Sequence, residues 1–196
     1  YFDITPADFL AIYNKAQEYS IQTHEHKKQE NPPGVGISEI LWSWVGAFLG
    51  IALVALLHYM FFAPRDLVMI IGSFGATAVL VYGAVKSPLA QPRNVIGGHI
   101  ISALTGVLTL MLIPDPLWLS ASIAVATSIA LMHATRTLHP PGGATALIAV
   151  TGGEQIKALG FLYALFPAAA GAVLLVLVAV IVNNLSGKRK YPEFWF

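Results

Sequence analysis

The sequence predicts an all-α integral membrane protein of about six membrane crossings. Three observations predict it: its apolarity, the close succession of its long apolar runs, and a hexapeptide that occurs twice. Of 196 residues, 56% are hydrophobic and only 11% charged, and mean hydropathy is +0.69, far above that of a soluble domain. A formal net charge of +1 gives no reason to invoke nucleic acid. With no cysteine there is no disulfide, thiolate nucleophile or cysteine metal site.

Residues 1–37 read as an amino-terminal amphipathic helix and polar linker. Thr5 and Asp8 form a capping pattern around Pro6, and Phe9, Ile12, Tyr13, Ala16 and Tyr19 recur at helical spacing. His24 to Pro33 reads as linker; His24 and His26 lack a third metal ligand nearby. The transmembrane domain is placed at 38–187. Ile40 to Phe62 carries no charge and has aromatic residues at both ends, as a span does. Leu67 to Val85 is long enough to cross but is interrupted at Gly72-Ser73-Phe74-Gly75. Asn94 to Ile113 and Leu117 to Ala134 flank the Pro114-Asp115-Pro116 turn, and Ala158 to Leu185 is the last span. Residues 188–196 form a polar tail.

The stretch Leu138-His139-Pro140-Pro141-Gly142-Gly143-Ala144-Thr145 cannot sit inside a regular helix, because proline removes a backbone donor and glycine weakens the element. It reads as an extended segment leading into a short helix. At membrane depth such a break is tolerated only inside protein or beside a polar cavity, so it is the place to look for a transport site.

Gly75-Ala76-Thr77-Ala78-Val79-Leu80 and Gly143-Ala144-Thr145-Ala146-Leu147-Ile148 are nearly the same hexapeptide, 68 residues apart. Each follows a break, and each precedes a glycine-bearing span. If a repeat holds three crossings, the second copy enters from the opposite side; this gives two inverted three-element repeats with broken half-helices at 75–85 and 143–151. Loop charges agree. In a six-crossing arrangement one side carries Lys15, Lys27, Lys28, Lys86, Arg93, Arg136, Lys188, Arg189 and Lys190, the other only Arg65 and Lys157. That bias puts both termini in the cytoplasm.

Four motifs then carry a family resemblance: the proline motif itself, Gly72-Ser73-Phe74-Gly75-Ala76, Ser87-Pro88-Leu89-Ala90-Gln91-Pro92-Arg93-Asn94, and Tyr191-Pro192. Over about residues 38 to 196 the chain resembles the HPP family of integral membrane proteins. Members in plastids and cyanobacteria are associated with nitrite transport, and the resemblance implies that activity here. It also implies a bacterial or cyanobacterial inner membrane, or a plastid membrane if the source is eukaryotic.

The residues themselves point to a small anion. Between Ile40 and Gly187 the only acids are Asp66, Asp115 and Glu154, all at expected loops, so no carboxylate is placed to hold a cation within the membrane. Half-helices starting at Gly75 and Gly143 would instead face each other with free backbone N–H groups and positive dipole ends. The expected substrate-binding residues are Ser73, Phe74, Gly75, Ala76 and Thr77 from the first copy, His139, Pro140, Pro141, Gly142, Gly143, Ala144 and Thr145 from the second, and His99 from the third span. His139 either donates to the anion or carries a proton with it, or else ties the extended segment to a backbone carbonyl. His58 and His133 are expected at span ends, and Arg93 and Arg136 either draw anions or fix topology. The alternative to the site is that the glycines only permit close helix packing.

No metal, cofactor or enzymatic chemistry is expected, since no serine–histidine pair at catalytic spacing, acidic dyad or metal-ligand set appears. The expected partners are nitrite and the lipid bilayer, with a homodimer possible through the last span. The alternative function is a membrane scaffold or sensor subunit without transport activity.

Overall fold

The computed structural model describes residues 7, 10–15 and 34–195. The expected Thr5 and Asp8 cap and the His24 to Pro33 linker lie outside these residues. The chain divides into an amino-terminal unit, Tyr1–Gly36, and a second unit, Ile37–Phe196. In the first, residues 10–15 are helical and exposed.

The regular secondary structure of the second unit is all helical among its described residues. Helix α1 (Ile37–Leu57) continues through a π-helical turn, His58–Phe62, and a 3-10 turn, Ala63–Arg65. Residues 67–71 then leave regular structure, and α2 (Ser73–Ala78) follows, extended by a π-helical turn to Gly83. Helix α3 (Pro92–Leu112) and α4 (Leu117–Ala134) are long. Helix α5 (Pro140–Thr151) and the short α6 (Glu154–Ala158) come next. A kinked segment from Ala164 then leads into α7 (Ala170–Leu185). Among the described residues, four helical stretches are long and apolar enough to cross a membrane: Ile37–Arg65, Pro92–Leu112, Leu117–Ala134 and Ala164–Leu185.

Four boundaries of the half-helices and the last span differ from the sequence expectation. The half-helices begin at Ser73 and Pro140, not at 75 and 143, and the first ends at Gly83. Pro140 and Pro141 occupy the first positions of α5, where a missing N–H costs nothing, so the prolines start the helix rather than precede it. The last span starts at Ala164, not 158. Gly160 has a left-handed backbone (φ +50°), and Phe166, before Pro167, is extended at φ −132° and ψ 123°.

Contacts tie together chain segments far apart in sequence. At one end, Arg189 reaches Glu39 on α1, Tyr82 after α2 and Asn183 on α7. At the same end Tyr191 donates to the Ala90 carbonyl, Glu193 N to Gln91 Oε1, and Asn94 to the Leu138 carbonyl. Arg93, expected to draw anions or fix topology, donates to the Thr135 carbonyl. At the other end Gln155 hydrogen-bonds Asp66, and the Phe62 and Phe166 rings lie 6.1 Å apart. His133 stays exposed near the end of α4. His58 is used differently, because its Nδ1 accepts from Met69 N, 3.4 Å away, and so anchors the non-helical lead into α2.

Candidate functional site

Six of the expected site residues meet in one closed cluster. Ser73, Phe74 and Thr77 come from α2, His99 from α3, and His139 and Thr145 from the start of α5. Each is at most 1% exposed. The threonines of the two hexapeptides hold the two nitrogens of a single ring: Thr77 Oγ1 lies 2.8 Å from His99 Nε2, and Thr145 Oγ1 lies 2.7 Å from His99 Nδ1. Thr77 Oγ1 also lies 3.1 Å from His139 Nε2, and Thr145 Oγ1 lies 2.9 Å from Ser73 Oγ. The His99 and His139 rings sit 5.1 Å apart, with Phe74 edge-on to His99 at 5.4 Å.

One carbonyl fixes the direction of the chain from His139 back to His99. His139 Nδ1 is 2.8 Å from the Leu89 carbonyl oxygen, which can only accept, so Nδ1 carries the proton. In a neutral ring Nε2 then accepts, and Thr77 donates to it. A hydroxyl has one proton, so His99 Nε2–H must donate to Thr77. His99 Nδ1 is then the acceptor for the Thr145 proton, which Ser73 Oγ at 2.9 Å and the Pro141 carbonyl also stand to accept. The donor path runs Thr145 to His99 to Thr77 to His139 to Leu89, with Ser73 Oγ beside Thr145 at its start. The helix carbonyls of Ser73 and Pro141, 3.2 Å from Thr77 and Thr145, are the longer alternatives for those hydroxyls. Among the described residues, no buried side-chain nitrogen or oxygen lacks a hydrogen-bond partner.

The remaining expected residues lie elsewhere. Pro141 and Gly142 are buried, and a Cβ on Gly142 would stand 2.7 Å from Ser102 Oγ and 2.9 Å from Met132 sulfur. Gly75, Ala76 and Pro140 face outward, and Gly143 and Ala144 are half-exposed. A Cβ on Gly75 would touch nothing within 4 Å, and one on Gly143 would meet Val125 at 3.9 Å. The expected arrangement had two helix starts facing each other across these glycines. Instead the starts overlap side by side: Thr77 reaches the residue before α5, and Thr145 reaches the first residue of α2. The inner faces are therefore threonine, serine and histidine, because residues one helical turn past each start share that face.

Sequence reasoning missed Leu89 and Tyr163. Leu89 acts through its carbonyl, so no side chain signals it, although it lies within the Ser87 to Asn94 motif. Tyr163 is fully buried and donates to the Thr145 carbonyl at 3.1 Å. Asn94, at 2.9 Å from the Leu138 carbonyl, secures the segment that presents His139.

An all-helical bundle with four spans of membrane length and a buried polar cluster defines an integral membrane protein. The family model described as "HPP, transmembrane region" matches residues 32–192, and the chain belongs to that family. Two transmembrane proteins of Dictyostelium discoideum are similar to it. One is 46% identical over 171 residues, 86% of this chain and 55% of the relative. The other is 44% identical over 172 residues, 86% of this chain and 60% of the relative. The chain thus spans little more than half the length of these curated relatives. No solved structure matches.

Proposed function

We propose that the chain carries a small inorganic anion, nitrite, across the membrane together with a proton, and that the Ser73–Thr145–His99–Thr77–His139 chain is the site. The observation that carries this is the direction of that chain. With neutral rings the Thr77 and Thr145 protons both serve ring nitrogens, and neither threonine is left to donate to an anion. One added proton on His99 Nδ1 or His139 Nε2 turns an acceptor into a donor, places a positive charge in the cluster and releases a threonine hydroxyl. A nitrite oxygen can accept from both. An anion and a proton entering together keep the buried site neutral, which avoids the cost of an isolated charge in a low-dielectric interior.

The path through the membrane follows from the two broken elements. A non-helical lead plus a half-helix reaches roughly 30 Å, at about 3.3 Å per extended and 1.5 Å per helical residue, which matches a hydrocarbon core of about 30 Å. Added to four full spans, they make six crossings in two inverted repeats, with both termini of the domain on the lysine-rich, cytoplasmic side. The link from Arg189 to Glu39 supports this, because an even number of crossings brings the ends of the first and last spans together. Enzymatic activity is not part of this reading.

The complete satisfaction of the cluster favours a second reading, a membrane scaffold whose polar core is structural. Flux separates the two. Purified protein in liposomes is expected to take up nitrite in preference to chloride, faster at pH 6 than at pH 8, and a folded His99→Gln variant is expected to lose this uptake. Uptake no greater than in empty liposomes from folded protein would leave the scaffold reading.

A further inference from the structure

A second polar site lies at the end of the bundle where the chain termini of the domain meet, and it shares no residue with the histidine cluster. A cavity of about 330 Å³ opens there among Glu39, Ala84, Lys86, Ser87, Lys188 and Lys190, with Arg189 in its wall. Four cations thus face one carboxylate, and that carboxylate is already used. Arg189 Nε donates to Glu39 Oε2 at 2.8 Å, and its other N–H groups go to the Tyr82 and Glu39 carbonyls, Asn183 Oδ1 and Ser43 Oγ. All five guanidinium donors are spent, so Arg189 builds the wall and is not free to bind a ligand.

The lysines differ. Lys86, Lys188 and Lys190 are exposed, and among the described residues no carboxylate pairs with any of them. They converge on the cavity from two parts of the chain, one after α2 and two after α7. Their level is that of Glu39, near the start of α1, with exposed Leu41, Trp44 and Phe48 following. An exposed tryptophan stacked on Phe48 at 5.2 Å just inside such a ring marks the membrane–water boundary, where lipid phosphates lie.

We propose that this cavity binds an anionic phosphate group, held by Lys86, Lys188 and Lys190 against the wall that Arg189 fixes. A phospholipid headgroup and free phosphate share that chemistry, and the test tells them apart.

The full chain is purified in detergent, and its thermal unfolding midpoint is followed by tryptophan fluorescence at constant ionic strength. The additions are phosphatidylglycerol, phosphatidylcholine or sodium phosphate. Phosphatidylglycerol near saturation is expected to raise the midpoint of the wild type and of K157A, at the opposite end, by about 5 °C. The K86A/K188A/K190A variant is expected to lose the shift, with apparent affinity down on the order of 100-fold. A shift from phosphatidylglycerol alone assigns the site to a lipid headgroup, and one from sodium phosphate assigns it to phosphate in general. If the triple variant does not fold, the single K86Q variant, which removes none of the Arg189 hydrogen bonds, is expected to need about fivefold more ligand for half the shift, one lysine's share at the surface. Equal shifts in wild type and variant, or no shift from either phosphatidylglycerol or sodium phosphate, would overturn the proposal.

Discussion

The two copies of the hexapeptide present the same inner face and different surroundings. In each, the threonine bonds one nitrogen of His99 and lies 3.2 Å from the carbonyl four residues back. Around the second copy, α3 and α4 close in: a Cβ on Gly106 would stand 2.6 Å from the Ala146 carbonyl, and Gly142 sits against Ser102 and Met132. Around the first, Gly72, Gly75, Ala76 and Val79 face outward. Their carboxyl ends differ too. The Val81 and Tyr82 carbonyls are taken by Asn183, Ser43 and Arg189, from the first span and the far end of the chain. The second copy closes on itself, through Gly152 N to the Ile148 carbonyl and Thr151 to the Leu147 carbonyl. A repeat thus fixes the chemistry a segment turns inward, while its neighbours decide what holds it in place.

Substitutions at matched places should separate these roles. Arg189→Leu should have the largest effect, because it strips a guanidinium that is 5% exposed from five partners at the end of the first copy. A loss of about 3 kcal/mol is expected, the low end for a broken buried pair because Glu39 is 39% exposed. Thr151→Val, at the end of the second copy, should cost under about 1 kcal/mol. Thermal unfolding in detergent reads both. Next, Gly106→Ala should cost about 2 kcal/mol, since its methyl meets a backbone carbonyl that cannot move aside.

Within the cluster, Thr77→Val should cost more than Thr145→Val, about 3 against 1 kcal/mol. The first leaves the Nε2 atoms of two buried rings without a partner; the second orphans one ring nitrogen and takes one donor from the Ser73 oxygen. Equal losses would mean that the two rings do not share Thr77. The smallest effect belongs to Gly75→Ala, which should be neutral or stabilising by about 0.5 kcal/mol, because a helical glycine is replaced where nothing stands within 4 Å. A large loss there would mean that something covers this outer face.

Much of this fold was legible, for identifiable reasons. Long apolar runs bounded by proline, aspartate or aromatics fixed the spans, and Leu117–Ala134 came out to the residue. Helix starts at prolines were harder, since Pro140-Pro141 reads equally as the end of an extended segment or the first turn of a helix. At the site, the repeat pointed to Thr77 and Thr145 and the depth of the third span to His99. The roles of the glycines were not legible: without side chains they suit close ligand approach and outward packing alike, and only the neighbours place them. Leu89 was out of reach because a backbone carbonyl has no residue signature.

The central claim is that nitrite and a proton are taken up at the paired rings, and ring nitrogens report on that directly. In protein labelled with ¹⁵N-histidine, with signals assigned by loss in His99→Gln and His139→Gln, the ligand-free state should show neutral rings protonated at His99 Nε2 and His139 Nδ1. Adding sodium nitrite at pH 6 should move one ring to the doubly protonated form, and sodium chloride should not. Histidine signals unchanged by nitrite, in protein that transports it, would contradict the account.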